Sequence, residues 1–150
     1  AFCADHGLPV FVEPATDLAP QVVMEFARPH LFDEVARTFP QLTIVMASLG
    51  WPWIDETLAL LGKQPRVYAD IASLLRHPSE AYRALLSAHQ AGLCGKLLFG
   101  SDFPFATPAE AIARLYRVNE VVQGTNMPAV PRESLRSILE RDAVAELGIK

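Results

Sequence analysis

The sequence has few cysteines, and they form no pattern. Cys3 and Cys94 are its two thiols. They sit in apolar surroundings without the paired spacing of a zinc site, so a disulfide framework is not expected. A reducing compartment, the cytoplasm, is. No basic run or stripe occurs and the net charge is −4, which leaves no electrostatic footprint for nucleic acid. No apolar stretch approaches the roughly 20 residues needed to span a bilayer, so no membrane partner is expected. Ala1 follows no charged leader and no initiator methionine, which predicts that an N-terminal part lies upstream. Low-complexity segments and linkers are absent as well, which predicts one domain over residues 1–150.

What is present suits an ordinary folded domain. The 150 residues are 51% hydrophobic and 20% charged, enough apolar material for one real core. Four short apolar runs recur. Leu8–Val12 reads LPVFV, Leu42–Ala47 reads LTIVMA, Val67–Ile71 reads VYADI, and Lys96–Phe99 reads KLLF. Runs of this length bounded by turn residues read as buried parallel strands. Between them lie helical patterns: one from about Pro29 to Pro40 with Leu31, Phe32, Val35 and Phe39 on one face; Trp53–Leu61, with Asp55 and Glu56 in its first turn; and Pro78–Ala91, with Ala81, Leu85 and Ala88 inward. Pro108–Val122 and Arg132–Leu147 follow, the latter broken near Asp142 and capped by Gly148. Ala1–His6 reads as a helix end stopped by Gly7, and Ala15–Glu25 as loop. Strand and helix alternate four times at a pitch of roughly 30 residues, the span of one βαβ unit. The class is therefore α/β with a parallel sheet and right-handed crossovers, either an open sheet or half of an eight-fold barrel.

In parallel α/β folds, ligands gather at the carboxyl ends of the strands. The fourth run leads through Gly100 and Ser101 to Asp102 in LLFGSDFPF. Asp102 stands where such a strand delivers its last side chain, although aspartate is equally at home capping the next helix. The first strand delivers Glu13. The second delivers Ser48, Leu49, Gly50 and Trp51, with Trp53 just beyond. His6, His30, His77 and His89 have no partner at metal-site spacing and read as surface or capping residues. Arg28 and Arg66 could steer an anion.

Three stretches carry a resemblance: FARPHLFDEVARTFPQLTIVMASLGWPWIDETLALLGKQPRVYADIASL, then LLFGSDFPF, then PRESLRSILERDAVAEL. Together they resemble the C-terminal half of the amidohydrolase-2 group. That group comprises metal-dependent TIM-barrel hydrolases and a branch of aminocarboxymuconate-semialdehyde and resorcylate decarboxylases. The resemblance runs from about Leu8 to Leu147. It implies that the four strands are barrel strands five to eight, without the half that carries the family's His-x-His. It also implies a small-molecule substrate and a divalent metal, zinc or manganese or magnesium. The family's strand-eight aspartate, a metal ligand or proton carrier, falls on Asp102. Its strand-five histidine is Glu13 here, a candidate second metal ligand, and two carboxylates favour magnesium or manganese over zinc.

Its strand-six histidine is Ser48, whose hydroxyl takes up no proton near neutral pH. The family's second glycine at that strand end is Trp51. Ser48, Trp51 and Trp53 are then candidate substrate contacts, with rim packing as the competing role for the two indoles. An impaired or incomplete hydrolase or decarboxylase is one expectation, and a non-catalytic remnant serving as a binding or scaffolding module is the other. Open strand edges predict a homo-oligomer or pairing with an N-terminal half.

Overall fold

In a computed structural model of the chain, residues 1–13 and 23–149 are described. Strands β1 (Val10–Val12), β2 (Ile44–Met46), β3 (Val67–Asp70) and β4 (Leu97–Leu98) form one sheet in sequential order, and every pairing is parallel. Each strand is shorter than its apolar run. The flanking residues leave the ladder early, Lys96 as the end of a 3-10 turn at Cys94–Lys96.

The helices are α1 (Phe2–Asp5), α2 (Phe32–Thr38), α3 (Ile54–Lys63), α4 (Pro78–Gln90), α5 (Pro108–Tyr116), α6 (Arg132–Leu139) and α7 (Ala143–Leu147). The expected Pro29 helix begins as a 3-10 turn, Pro29–Leu31, and Leu31 is exposed rather than on the inward face. Gly62, just past the predicted end at Leu61, lies inside α3, which ends one residue later. The pattern predicted over Pro108–Val122 splits at Arg117 into α5 and a 3-10 turn, Val118–Val122. The break at Asp142 is real: its Oδ1 accepts the Ala145 N–H and starts α7, which Gly148 closes at φ 70°. Most of the segment read as loop, Ala15–Glu25, lies outside the described residues, and its end enters a 3-10 turn at Met24–Ala27.

The period-two alternation of strands divides the sheet into two faces. Ile44, Met46, Val67, Ala69 and Leu97 point to one side and join the main core, where Leu61, Leu85 and Ala88 cover them. Val45 and Leu98 point to the other and meet Leu147 of α7, with Tyr68 packed alongside. Phe11 is in register with Val45, and Asp70 with Leu98, so both belong to this second face. Phe11 remains 57% exposed there.

The exit of β2 is tightly packed. Gly50 has φ 65°, and a Cβ there would lie 2.0 Å from Thr57 Oγ1 and 3.0 Å from Pro29 Cγ. Thr57 is fully buried on α3 and donates its hydroxyl to the Trp53 carbonyl at 3.2 Å. The substitution Gly50→Ala meets a steric clash and a left-handed backbone together. It should cost roughly 2–4 kcal/mol, read as a lower urea midpoint. An unchanged midpoint would contradict this packing.

Candidate active site

All four strands end on the same edge, and the chain leaves β2 by an unusual path. Ser48, Leu49 and Gly50 are consecutively left-handed, with φ 52°, 51° and 65°. A non-glycine residue in that region costs about 1–2 kcal/mol, so Ser48 and Leu49 require compensation. It comes from β3 and the turn after it. Asp70 Oδ1 accepts the Ser48 N–H at 3.0 Å and the Ala72 N–H at 2.9 Å. The hydroxyls of Ser48 and Ser73 lie 2.5 Å apart. Leu49 is fully buried and contributes apolar burial at the same turn.

Burial is the largest influence on Asp70 and pushes its carboxyl above the ordinary aspartate value. The two N–H donors pull it back, and the nearby charge of Asp102 pushes it further up. Asp70 therefore stands at the mouth as a carboxyl that resists ionisation.

Asp102, after β4, is a third non-glycine residue in the left-handed region, at φ 64°. Strain of this kind concentrates where structure serves function. Its side chain is 19% exposed, and Arg76 Nε approaches Oδ2 at 2.9 Å. That oxygen is buried and accepts no aligned hydrogen bond, so the contact with Arg76 is an ion pair without hydrogen-bond geometry. The Arg76 guanidinium also lies over the Phe105 ring, 5.1 Å from its centroid. Asp102 does not cap α5. Thr107 does, in a capping box in which its Oγ1 accepts the Glu110 N–H and Glu110 Oε2 accepts the Thr107 N–H. The Asp102 carbonyl accepts instead from Phe105 and Ala106, closing a tight turn. Freed from capping, its carboxylate faces the mouth.

Of the residues picked out by sequence, Ser48 and Asp102 both neighbour Asp70, Ser48 through a hydrogen bond and Asp102 through its charge. Trp51 stands beside them and stacks on His77 with ring centroids 5.2 Å apart and planes 3° from parallel. Trp53 is engaged elsewhere, under the Arg28 guanidinium at 5.8 Å. Glu13 is an exposed residue at the end of β1. Arg28 pairs with Glu56, and Arg66 donates to Thr43 Oγ1 at 2.8 Å, so neither is directed at the mouth. His6 bonds the Phe2 carbonyl, His30 meets Glu56, and His89 meets Ser134.

Sequence reasoning missed Asp70, Ser73 and Arg76. The signal for Asp70 was present: an acid as the last residue of a buried strand, two positions after Tyr68 on the same face. Arg76 ends the 3-10 turn Ser73–Arg76, six residues past β3, and gave none.

The donor set does not fit a divalent metal on this chain alone. No group of three or more His, Cys, Asp or Glu side chains converges among the described residues. Asp70 Oδ1 is occupied by two N–H groups, and Asp102 Oδ2 has a guanidinium against it. No imidazole reaches the mouth from a strand end.

The raised value of Asp70 fixes a sign. Its protonated form is favoured by folding, so its contribution is full below the ordinary aspartate pKa of about 3.9 and is lost as pH rises through the folded value. Asp70→Asn keeps an oxygen for both N–H groups without the buried charge. It should match or exceed the parent in stability at pH 7 and flatten the pH dependence above 4. Asp70→Ala strands two N–H groups and should cost about 2–4 kcal/mol. Denaturant midpoints across pH 4–8 check both; an Asn variant as unstable as the Ala variant would contradict the assignment.

Comparison with known proteins agrees with this architecture. An uncharacterized TIM-barrel protein from Bordetella bronchiseptica superposes with a TM-score of 0.68 at 24% identity, over 98% of this chain and 49% of that one. The chain thus spans about half the length of that barrel, and its four parallel strands are of TIM-barrel type. No curated protein matches significantly. The family model described as amidohydrolase matches residues 1–148. With that model matched over nearly its whole length, this chain belongs to the amidohydrolase-2 family.

Proposed function

We propose that this chain supplies one half of a site for hydrolysis or decarboxylation of small carboxylate- or amide-bearing molecules, and that by itself the site is incomplete. The reading is carried by Asp102, a carboxylate at the strand mouth on a left-handed backbone, with a buried oxygen that accepts no aligned hydrogen bond. Buried beneath the Arg76 guanidinium and short of an aligned donor, it would meet a substrate or an attacking water once that guanidinium shifts. Asp102 moves the proton: a carboxylate can take one from water or return one to a leaving group. Arg76 pairs with it and brings positive charge to the place where a substrate carboxylate would lie. The paired hydroxyls of Ser48 and Ser73 orient the substrate without accepting its proton, and the Trp51 indole forms one wall. Glu13, at the end of β1, is the other carboxylate of the same edge.

The second face of the sheet supports a pairing. Phe11 lies there exposed, in register with buried Val45, and α7 covers only part of that face. Closure against a second barrel half, from another copy of the chain or an N-terminal half, would bury it.

A non-catalytic binding module is the competing reading, and a specific observation favours it. The position where the resemblance implies an imidazole holds Ser48, and Arg76 already sits on Asp102. Hydrolysis of p-nitrophenyl acetate and p-nitroacetanilide by the protein as it assembles in solution separates the two. Asp102→Asn should lower turnover about a hundredfold or more, and light scattering should give a mass above that of one chain. Turnover unaffected by Asp102→Asn would leave the binding module. A monodisperse monomer that takes up no hydrophobic dye would remove the pairing.

A further inference from the structure

Behind Arg76, on the outer side of the mouth, the chain forms a groove of about 650 Å³. One wall is the 3-10 turn Ser73–Arg76 and the start of α4; the other is the end of α5 and the turn Val118–Val122. Its floor is apolar, with Leu75 at 3% exposure, Ala81 at 1% and Val118 at 2%. The second wall is fixed in place. Asn119 exchanges two hydrogen bonds with the backbone of Val130, at 2.9 and 2.8 Å, and Tyr82 donates to the Pro128 carbonyl at 2.7 Å. The cavity is therefore formed before anything enters it.

The charge of the groove runs against that of the chain. Arg76, Arg114, Arg117 and Glu120 line it, in a protein whose net charge is −4. Glu120 is paired with Arg117 at 2.8 Å. Three guanidinium groups above an apolar floor, Arg117 held by Glu120 and Arg76 by Asp102, still leave the groove positive and complement a ligand with the opposite arrangement. A cavity of roughly 300–1,000 Å³ with an apolar lining and a few convergent polar groups is the ordinary form of a small-molecule site.

We propose that this groove binds a small amphipathic carboxylate, its apolar body on Leu75, Ala81 and Val118 and its anionic head among the guanidinium groups of Arg76, Arg114 and Arg117. The site lies outside the strand mouth but shares a residue with it. Arg76 lines the groove and also meets Asp102 at 2.9 Å. An anion held by Arg76 competes with Asp102 for the same guanidinium, so occupancy of the groove and the state of the Asp102 ion pair are thermodynamically linked.

Calorimetric titration with octanoate tests this without reference to any turnover, so its result stands apart from the reading of Asp102. Octanoate should bind saturably at one site per chain. Octan-1-ol, which has the same apolar body and no charge, should bind at least tenfold more weakly. Arg114→Gln removes a rim cation from an exposed position, and Val121→Asp places an acid on the lip; each should weaken octanoate roughly tenfold, the loss of one charge-assisted contact. Arg37→Gln removes a cation from α2 and should leave binding unchanged. Equal binding of octanoate and octan-1-ol would overturn the proposal. So would affinity unchanged in both groove variants, or lowered as much by Arg37→Gln.

Discussion

One carboxylate oxygen, Oδ1 of Asp70, receives the backbone N–H groups of Ser48 and Ala72, and the geometry of the whole mouth depends on it. Without that acceptor, the two consecutive left-handed non-glycine residues after β2 would lose the bond that holds the Ser48 amide. The path through Ser48, Leu49 and Gly50 is what sets the Ser48 hydroxyl against Ser73 and turns the chain into Trp51. On the far side the fit is equally close, since a Cβ at Gly100 would lie 3.0 Å from that of Ala72. The exits of β2, β3 and β4 are thus tied through a few atoms around Asp70 and Ala72.

Charge at the mouth follows from the same arrangement. Two carboxyls, Asp70 and Asp102, lie near enough for one to bear on the other, and the Arg76 guanidinium lies against Asp102. Burial holds Asp70 toward its neutral form, whereas the ion pair places a cation on Asp102. The two acids therefore take different parts: Asp70 positions backbone, and Asp102 presents an oxygen. This division fits proton handling better than the shared coordination of an ion. The guanidinium that decides it also belongs to the groove behind, so the two regions meet at one side chain.

Much of the architecture was legible in the sequence because it rests on periodicity. Four apolar runs with helices between them predict a parallel α/β unit, and the burial of Val67 and Ala69 against that of Ala81, Leu85 and Ala88 reproduces the expected faces. Boundaries were less legible. Local hydrogen bonding, as at the 3-10 turn over Pro29–Leu31, overrides an apolar pattern at helix ends. The site was half legible. Asp102 stood out by its place after a strand, and its other reading as a cap is settled by Thr107, which performs that task with Glu110. Asp70 was hidden inside a strand that read simply as core, and Arg76 inside a loop. Their roles depend on contacts between segments more than 20 residues apart, such as Ser48 with Asp70. No single-sequence pattern encodes such contacts. Trp53 showed the reverse: proximity in sequence to Trp51 did not carry it to the same place, because α3 begins between the mouth and the Arg28–Glu56 pair.

The claim on which the rest stands is that Asp70 is a buried carboxyl holding two backbone N–H groups. The carboxyl carbon resonance of Asp70, followed by NMR against pH in isotopically labelled protein, tests it most directly. The account predicts that this resonance titrates above the ordinary aspartate value of about 3.9, with the amide protons of Ser48 and Ala72 shifting in the same step. Titration at or below that value, or amide protons that do not follow it, would contradict the account.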